Sequence, residues 1–323
     1  MMAADVDVIT IGSCFVELAS PDPGVSLREA RSLLKYTSGA ATIAALGMRR
    51  LGATVGVISK VGDDELGQGL LDHLGELGID TSHIGKVAGM LTSVSLAWAD
   101  GRGAKTFYFY RFPGHCDPMT AIGETDVDDD YLGRCRIFDF AESAIRKPDE
   151  RRVAFYAAAR AGALGKTVVY ACNLRRQAWG VADAEIVEAQ RQAVRLADIA
   201  LMNADEACFI AGDPDARAAA SSLQATGDGK THRVVVATRG AEPIIIAEST
   251  GVSEVAAFAV PVVYDIGAGD TFHAGYVAAH LRGLPPRDCA RHAAAAAALK
   301  ISTSANPDDL PTWGQVEGFL DRR

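Results

Sequence analysis

The feature that most constrains this chain is an alternation of short apolar runs with longer helical stretches. Val6–Ile11, Val55–Val61, Ile137–Ala141, Thr167–Ala171, Ile199–Met202 and Val234–Ala237 read as buried strands. Between them, Ala40 to Leu51, Asp63 to about Gly78, Asp149–Ala163, Asp183–Ala197 and Pro214–Ala225 read as helices. The Ala-rich stretch from Arg287 to Ile301 reads as a buried helix. Such alternation predicts an α/β fold: a mostly parallel central sheet with helices on both faces.

Two segments break the alternation. Residues 14–37 and 86–118 are strand-like and richer in aromatic and polar side chains. Within them, Val94–Ala99 and Lys105–Tyr110 look like a hairpin around Asp100-Gly-Arg-Gly103. We read these segments as a small β-sheet lid on a core made of residues 1–13, 38–85 and 119–323; the alternative is a simple extension of the main sheet. A lid that excludes water suits a reaction in which water would compete as acceptor.

Composition narrows the partners. A net charge of −9 over 323 residues argues against nucleic acid as the main partner. It leaves room for an anionic substrate, because local arginines can override a negative total. No long apolar run opens the chain, so neither a signal peptide nor a membrane span is expected. Cys14, Cys116, Cys135, Cys172, Cys208 and Cys289 are scattered without a Cys-x-x-Cys pair. They read as reduced thiols of a cytoplasmic protein, with no structural metal expected.

Chemistry concentrates in Asp265-Ile-Gly-Ala-Gly-Asp-Thr-Phe-His-Ala-Gly275. Small residues let backbone N–H groups approach an anion closely. The helix that follows adds orphan donors and a partial positive charge. Gly267, Ala268 and Gly269 thus suit an anion hole, and Asp270 stands where it would take a proton from an attacking hydroxyl. An anion hole beside a carboxylate base fits phosphoryl transfer to an alcohol. No Gly-Lys-Ser/Thr follows, so this is no Walker loop, and His273 replaces the third glycine of a dinucleotide fingerprint.

The chain resembles the ribokinase-like (PfkB-type) carbohydrate kinases almost end to end. The resemblance rests on Gly267-Ala-Gly-Asp270, Asn203-Ala-Asp-Glu206, Thr238-Arg-Gly240, Arg50-Leu-Gly-Ala53 and Val61-Gly-Asp-Asp-Glu-Leu-Gly67, in that family's order and spacing. It implies ATP with Mg²⁺ as phosphoryl donor and Asp270 as catalytic base. It implies that Asn203 and Glu206 organise Mg²⁺ largely through water, as hard oxygen donors do. The same four residues also spell a helix capping box, and both roles are compatible. By the same resemblance, Thr238 and Gly240 flank the nucleotide phosphates and Asn306 closes over the adenine. Dimerisation through the lid sheets is in keeping with this reading.

For the acceptor, Tyr108-Phe-Tyr-Arg111 and Asn173-Leu-Arg-Arg-Gln-Ala-Trp179 resemble elements of the 2-keto-3-deoxygluconate kinases. Related 5-dehydro-2-deoxygluconate kinases share much of the second. Arg111 and Arg175 would then face an acid sugar, since a guanidinium fork matches a carboxylate. Alternatively, Arg111 is a solvated lid residue and Arg175 part of a surface ion pair. Other substrate positions have drifted from the family. Gly39 remains, but the usual sugar-binding Asn is Ile43; the first-strand acid is Glu17 rather than Asp; and Tyr264 stands where an Asp is common, with Asp265 one position later. Two further readings are a kinase of neutral ketohexoses or nucleosides, and a binding homologue with weakened catalysis.

Overall fold

The computed structural model describes residues 6–22, 24–99, 105–110, 117–226, 230, 232–263, 267–303 and 309–323. Arg111, Asn306, Tyr264, Asp265, Cys116 and the hairpin turn at 100–104 lie outside them. In chain order the first half runs β1 (Val8–Ile11), β2 (Phe15–Ala19), β3 (Leu34–Ser38), α1 (Ala40–Arg50), β4 (Val55–Gly62), α2 (Glu65–Glu76), β5 (Ile79–Asp80), β6 (Ile84–Val87), β7 (Val94–Ala99), β8 (Lys105–Tyr110), α3 (Asp129–Gly133), β9 (Ile137–Ala141) and α4 (Pro148–Ala163). The second half runs β10 (Thr167–Ala171), α5 (Asp183–Leu196), β11 (Ile199–Asn203), α6 (Ala204–Ala211), α7 (Ala216–Gln224), β12 (Val234–Arg239), β13 (Glu242–Glu248), β14 (Gly251–Val255), α8 (Ala268–Leu281), α9 (Pro286–Thr303) and α10 (Trp313–Leu320).

The large sheet has the order β14-β13-β12-β11-β10-β9-β1-β4-β5, with β6 paired to the far part of β4. From β12 to β5 every pairing is parallel. The run of apolar residues in these strands follows from that arrangement, because both faces are covered. Successive residues serve opposite cores. Ile9, Phe138, Phe140, Tyr170 and Ala237 pack with α3 to α7. Val8, Ile137, Val169, Leu201 and Val236 pack on the other face with α1, α2, α8, α9 and α10.

The expected strands and helices appear within one or two residues of their sequence-based limits. One departure is the antiparallel extension β12-β13-β14. It begins where Gly240, in a left-handed turn at φ 62°, reverses the chain into a hairpin. The second sheet has the order β3-β2-β7-β8, mixed in direction. It carries Phe15 edge-on to Phe109 and Trp98 beside Tyr108. Among the described residues no helix is long and apolar enough to cross a membrane, and Cys14, Cys135, Cys172, Cys208 and Cys289 are all free thiols.

Helix α8 is the most enclosed helix of the site-bearing face. Every residue from Thr271 to Ala279 is buried. Small residues permit this. A Cβ on Gly275 would stand 2.9 Å from Ala293 Cα and 3.1 Å from Ala296 Cβ of α9, and one on Gly47 of α1 would stand 2.8 Å from Ala274 Cβ. Gly275→Val therefore forces α8 and α9 apart. Overpacking of this kind costs about 1–3 kcal/mol, more than the gain of under ~1 kcal/mol from replacing a helical glycine. A urea midpoint lowered accordingly, at unchanged slope, is the expected result; an unchanged midpoint contradicts the close packing.

Candidate active site

The C-terminal ends of β10, β11 and β12 and the N-terminus of α8 meet at one edge of the large sheet, where ligands of open α/β sheets bind. Gly267 caps α8 in the left-handed conformation, φ 84°, and no side chain caps the helix. The first intrahelical bond closes only at Thr271 N–H to Gly267 C=O. The N–H groups of the preceding residues therefore have no acceptor within the helix. Gly269 is helical and exposed, and a Cβ placed on it would meet nothing within 4 Å. The backbone here is open to an anion, and the glycine that the turn itself demands is Gly267.

Asp270 occupies the first turn of α8. It keeps some exposure, but protein crowds around its carboxyl, and that desolvation pushes its pKa above the ordinary carboxylate value. The positive charges of His273 and Arg175 oppose the rise. Asn173 Nδ2 donates to Asp270 Oδ1 at 3.2 Å. Asn173 is also the one non-glycine described residue with a positive φ, at 41°. Asparagine tolerates this left-handed backbone better than most residues, though at some strain.

The loop from Asn173 to Trp179 is tied down by two buried acids. Glu206 Oε1 accepts from Leu174 N–H at 2.7 Å, and its Oε2 accepts from Asn203 N–H at 2.8 Å. Asn203 Oδ1 returns a bond from Glu206 N–H at 2.9 Å. The capping box therefore exists and engages Oε2 of Glu206, while Leu174 N–H engages Oε1. Burial pushes the Glu206 carboxyl up, against the backbone donors and nearby Arg175 that favour its charged form. Glu142, 1% exposed, takes hydrogen bonds from Trp179 Nε1 and from both Nε and an Nη of Arg146. Arg175 is exposed and forms no side-chain hydrogen bond or ion pair among the described residues. The surface ion pair weighed from sequence is absent; the neighbouring Arg176 has one instead, with Asp183.

The structure thus brings Asp270, Arg175, Glu206 and Asn203 to one edge, together with Thr238, which lies in register beside Asn203. Gly240 lies in the hairpin turn just beyond. Glu17 and Gly39 belong to the small sheet and its junction with α1. Glu17 is buried on β2 and accepts from Ser38 Oγ at 3.5 Å. Gly39 has φ 114°, and a Cβ there would collide with the Ser13 carbonyl, so backbone packing alone demands glycine. Asn173 opened a motif quoted from the sequence but was given no role there, and Glu142 had no place among the sequence candidates. The positive φ of Asn173 has a faint sequence signal in its residue type; the role of Glu142 has none.

An open, mostly parallel α/β sheet with a small second sheet and a glycine-capped helix terminus bearing an acid in its first turn is the architecture of a ribokinase-like protein. Its structural neighbours agree. A PfkB protein from Polaromonas sp. JS666 superposes with a TM-score of 0.84 at 26% identity, covering 97% of this chain and 99% of that one. A putative ribokinase II from E. coli, solved in complex with ATP and Mg²⁺, gives 0.84 at 21% identity over 98% of this chain and 100% of that chain, a likeness of fold. The family described as "pfkB family carbohydrate kinase" matches residues 5–313, and the chain belongs to it. A 5-dehydro-2-deoxygluconokinase from Geobacillus kaustophilus (strain HTA426) is 26% identical over 98% of this chain and 94% of its own length. A probable fructokinase-7 from Arabidopsis thaliana is 29% identical over 64% of this chain and 60% of its own. The protein is an ATP-dependent sugar kinase.

The Asn173 amide separates orientation from backbone strain. Asn173→Gly keeps the left-handed backbone and deletes the amide. It should leave stability within about 1 kcal/mol of the parent, since glycine carries no penalty at φ > 0. Turnover should fall roughly tenfold, the value of about 1.4 kcal/mol from one lost hydrogen bond. Parent-like turnover in the folded variant shows that the amide does not orient Asp270.

Proposed function

We propose that this kinase phosphorylates a hydroxyl of an acid sugar of the 2-keto-3-deoxygluconate or 5-dehydro-2-deoxygluconate kind, with Asp270 as base. The observation that carries this reading is the placement of Asp270 directly behind the open terminus of α8, within the field of the unpaired Arg175. The relatives named 5-dehydro-2-deoxygluconokinase support the acid-sugar class.

Asp270 takes the proton of the attacking hydroxyl, and its raised pKa makes it a stronger acceptor than a solvated carboxylate. The N–H groups at Gly267, Ala268 and Gly269 hold negative charge that grows on the transferred group. Bound Mg-ATP supplies the phosphoryl group and the divalent charge that balances it. Thr238 and Gly240 lie along the nucleotide side. No cluster of three or more metal-binding side chains exists among the described residues. This fits an ion carried in by the nucleotide and its waters rather than held in a protein cage. Asn203 and Glu206 would act on those waters, with the Glu206 oxygens partly committed to the capping box. Arg175 pairs with the sugar carboxylate, Glu17 and Gly39 border the sugar, and Arg111, outside the described residues, is a second candidate for the carboxylate. The small sheet closes over the site and excludes water. Ile43, half-buried on α1, cannot hydrogen-bond a sugar hydroxyl, so the remaining polar groups bear more of the selectivity.

ATP turnover over a panel of aldonates, ketohexoses and nucleosides tests the reading. Asp270→Asn should lower kcat by about 10²–10⁴-fold while the protein stays folded; parent-like turnover ends the base assignment. Arg175→Ala should lower kcat/KM for the acid sugar by about 10- to 150-fold, the worth of a charged hydrogen bond at ~1.5–3 kcal/mol. A neutral analogue should be nearly unaffected. If a ketohexose or nucleoside is the best acceptor and Arg175→Ala treats all acceptors alike, the acid-sugar class is wrong and the kinase remains.

A further inference from the structure

We propose that His273 and Asp139 form a buried positioning pair that supplies a fixed positive charge behind Asp270 and keeps that carboxyl ready to accept a proton. The inference rests on the reading of Asp270 as the base.

His273 follows Asp270 by three residues, so both lie on the same side of α8 one turn apart. It is 5% exposed, and its Nε2 lies 2.7 Å from Oδ1 of the fully buried Asp139. Asp139 sits on β9, between β1 and β10 in the middle of the large sheet. Its neighbours Phe138 and Phe140 point to the opposite core, so Asp139 points toward α8. Such a pair is hard to explain by stability. Burying two charges costs as much as their attraction returns, and apolar residues of similar volume usually serve the fold as well.

The surroundings of the Asp139 carboxyl group bear on the charge of the imidazole. Asp139 Oδ2 is buried with no hydrogen-bond partner among the described residues. Thr10, in register with Asp139 on β1, likewise has an unpartnered hydroxyl oxygen. Among the described residues His273 is the hydrogen-bond partner of the Asp139 carboxyl group, and in the proposal it carries the proton of that pair. Burial alone would lower its pKa, but Asp139 and then Asp270 raise it above the ordinary value.

The charges around Asp270 come from several elements. Arg175 acts from the loop after β10 and His273 from α8 itself. The buried Lys300 of α9 brings its side chain beside Gly267. Helix α1 buries only Ala41, Thr42, Ala44, Ala45, Gly47 and Met48 and adds no charge to that face. Arg175 is exposed and committed to the acceptor in our reading, so its field changes when a substrate binds. The field of His273, enclosed between α8 and β9, does not. A cation near a carboxyl favours the ionised form; removing it raises the carboxyl pKa and moves the acid limb of activity to higher pH.

The test is the pH profile of kcat/KM for the parent, His273→Gln, Asp139→Asn and the double variant. Each single change should move the acid limb up by about one pH unit, tenfold in proton affinity. Turnover should fall about tenfold at low pH and recover as pH rises, and the double variant should move no further than the singles. A role in packing alone lowers kcat at every pH and leaves the limb in place, which overturns the proposal. Histidine NMR supplies a second readout that needs no turnover. The His273 ring should stay protonated above the ordinary histidine range in the parent and lose its proton at lower pH in Asp270→Asn, since the coupling is reciprocal. An identical His273 titration in the two proteins overturns the proposal even if the His273 variants do not fold. An unmoved limb beside an inactive Asp270→Asn rejects only the pair, whereas an active Asp270→Asn rejects the base as well.

Discussion

The contact between α8 and its two neighbours, α1 and α9, governs where the chemistry can stand. Helix α8 carries the Gly267 turn with its orphan N–H groups at one end and is buried from Thr271 to Ala279. Its neighbours approach so closely that glycine or alanine is required where they cross. Interiors are packed like crystals, so a helix held this way cannot slide or rotate to suit a ligand. Its first turn is consequently a fixed feature of the sheet edge, and the orphan N–H groups there are oriented before anything binds. Preorganised dipoles cost no rearrangement during the reaction.

On the opposite side of the cleft the chain takes another approach. The loop after β10 is anchored by Trp179 and Leu174 on the core and held in addition by buried acids. Glu206 links it to the start of α6, and Glu142 links its tryptophan to the end of β9. Both carboxylates are satisfied by several donors, which is the condition under which buried charge is tolerated. The effect is to place Asn173 against Asp270 with a strained backbone while Arg175 is left outside any ion pair among the described residues. A positioned amide and an uncommitted guanidinium are unusual on a surface where most other arginines pair with acids or carbonyls. Net charge gives no hint of this, since a total of −9 says nothing about where one exposed arginine stands.

The two sheets differ in what they demand of sequence. The large sheet needs strands apolar on both faces, and its limits were legible to within a residue or two. The antiparallel β13 and β14 were not, because a terminal extension follows from a single hairpin at Gly240 rather than from the βα rhythm. Family resemblance placed the kinase chemistry, and the match over residues 5–313 agrees with it. The positions that the resemblance assigns to the sugar are another matter. Ile43 and Glu17 depart from the expected types, and pocket shape depends on how neighbouring side chains fill the space those changes leave.

By itself the sequence determined the alternation of strands and helices, the turn that opens α8, the acid that follows it and the Asn-x-x-Glu box at α6. These are local patterns, written within a few residues and read through periodicity and backbone chemistry. Only the tertiary structure decided which distant groups share the field of Asp270. Asn173 reaches it from 97 positions away, and His273 meets Asp139 across 134. His273 drew notice in the sequence only as a residue standing in place of a glycine. Its partner lies inside an apolar strand run that periodicity reads as core. Contacts made by folding across such separations leave no spacing in the chain to read, because parallel strands collect their ends from segments that crossovers have carried far apart.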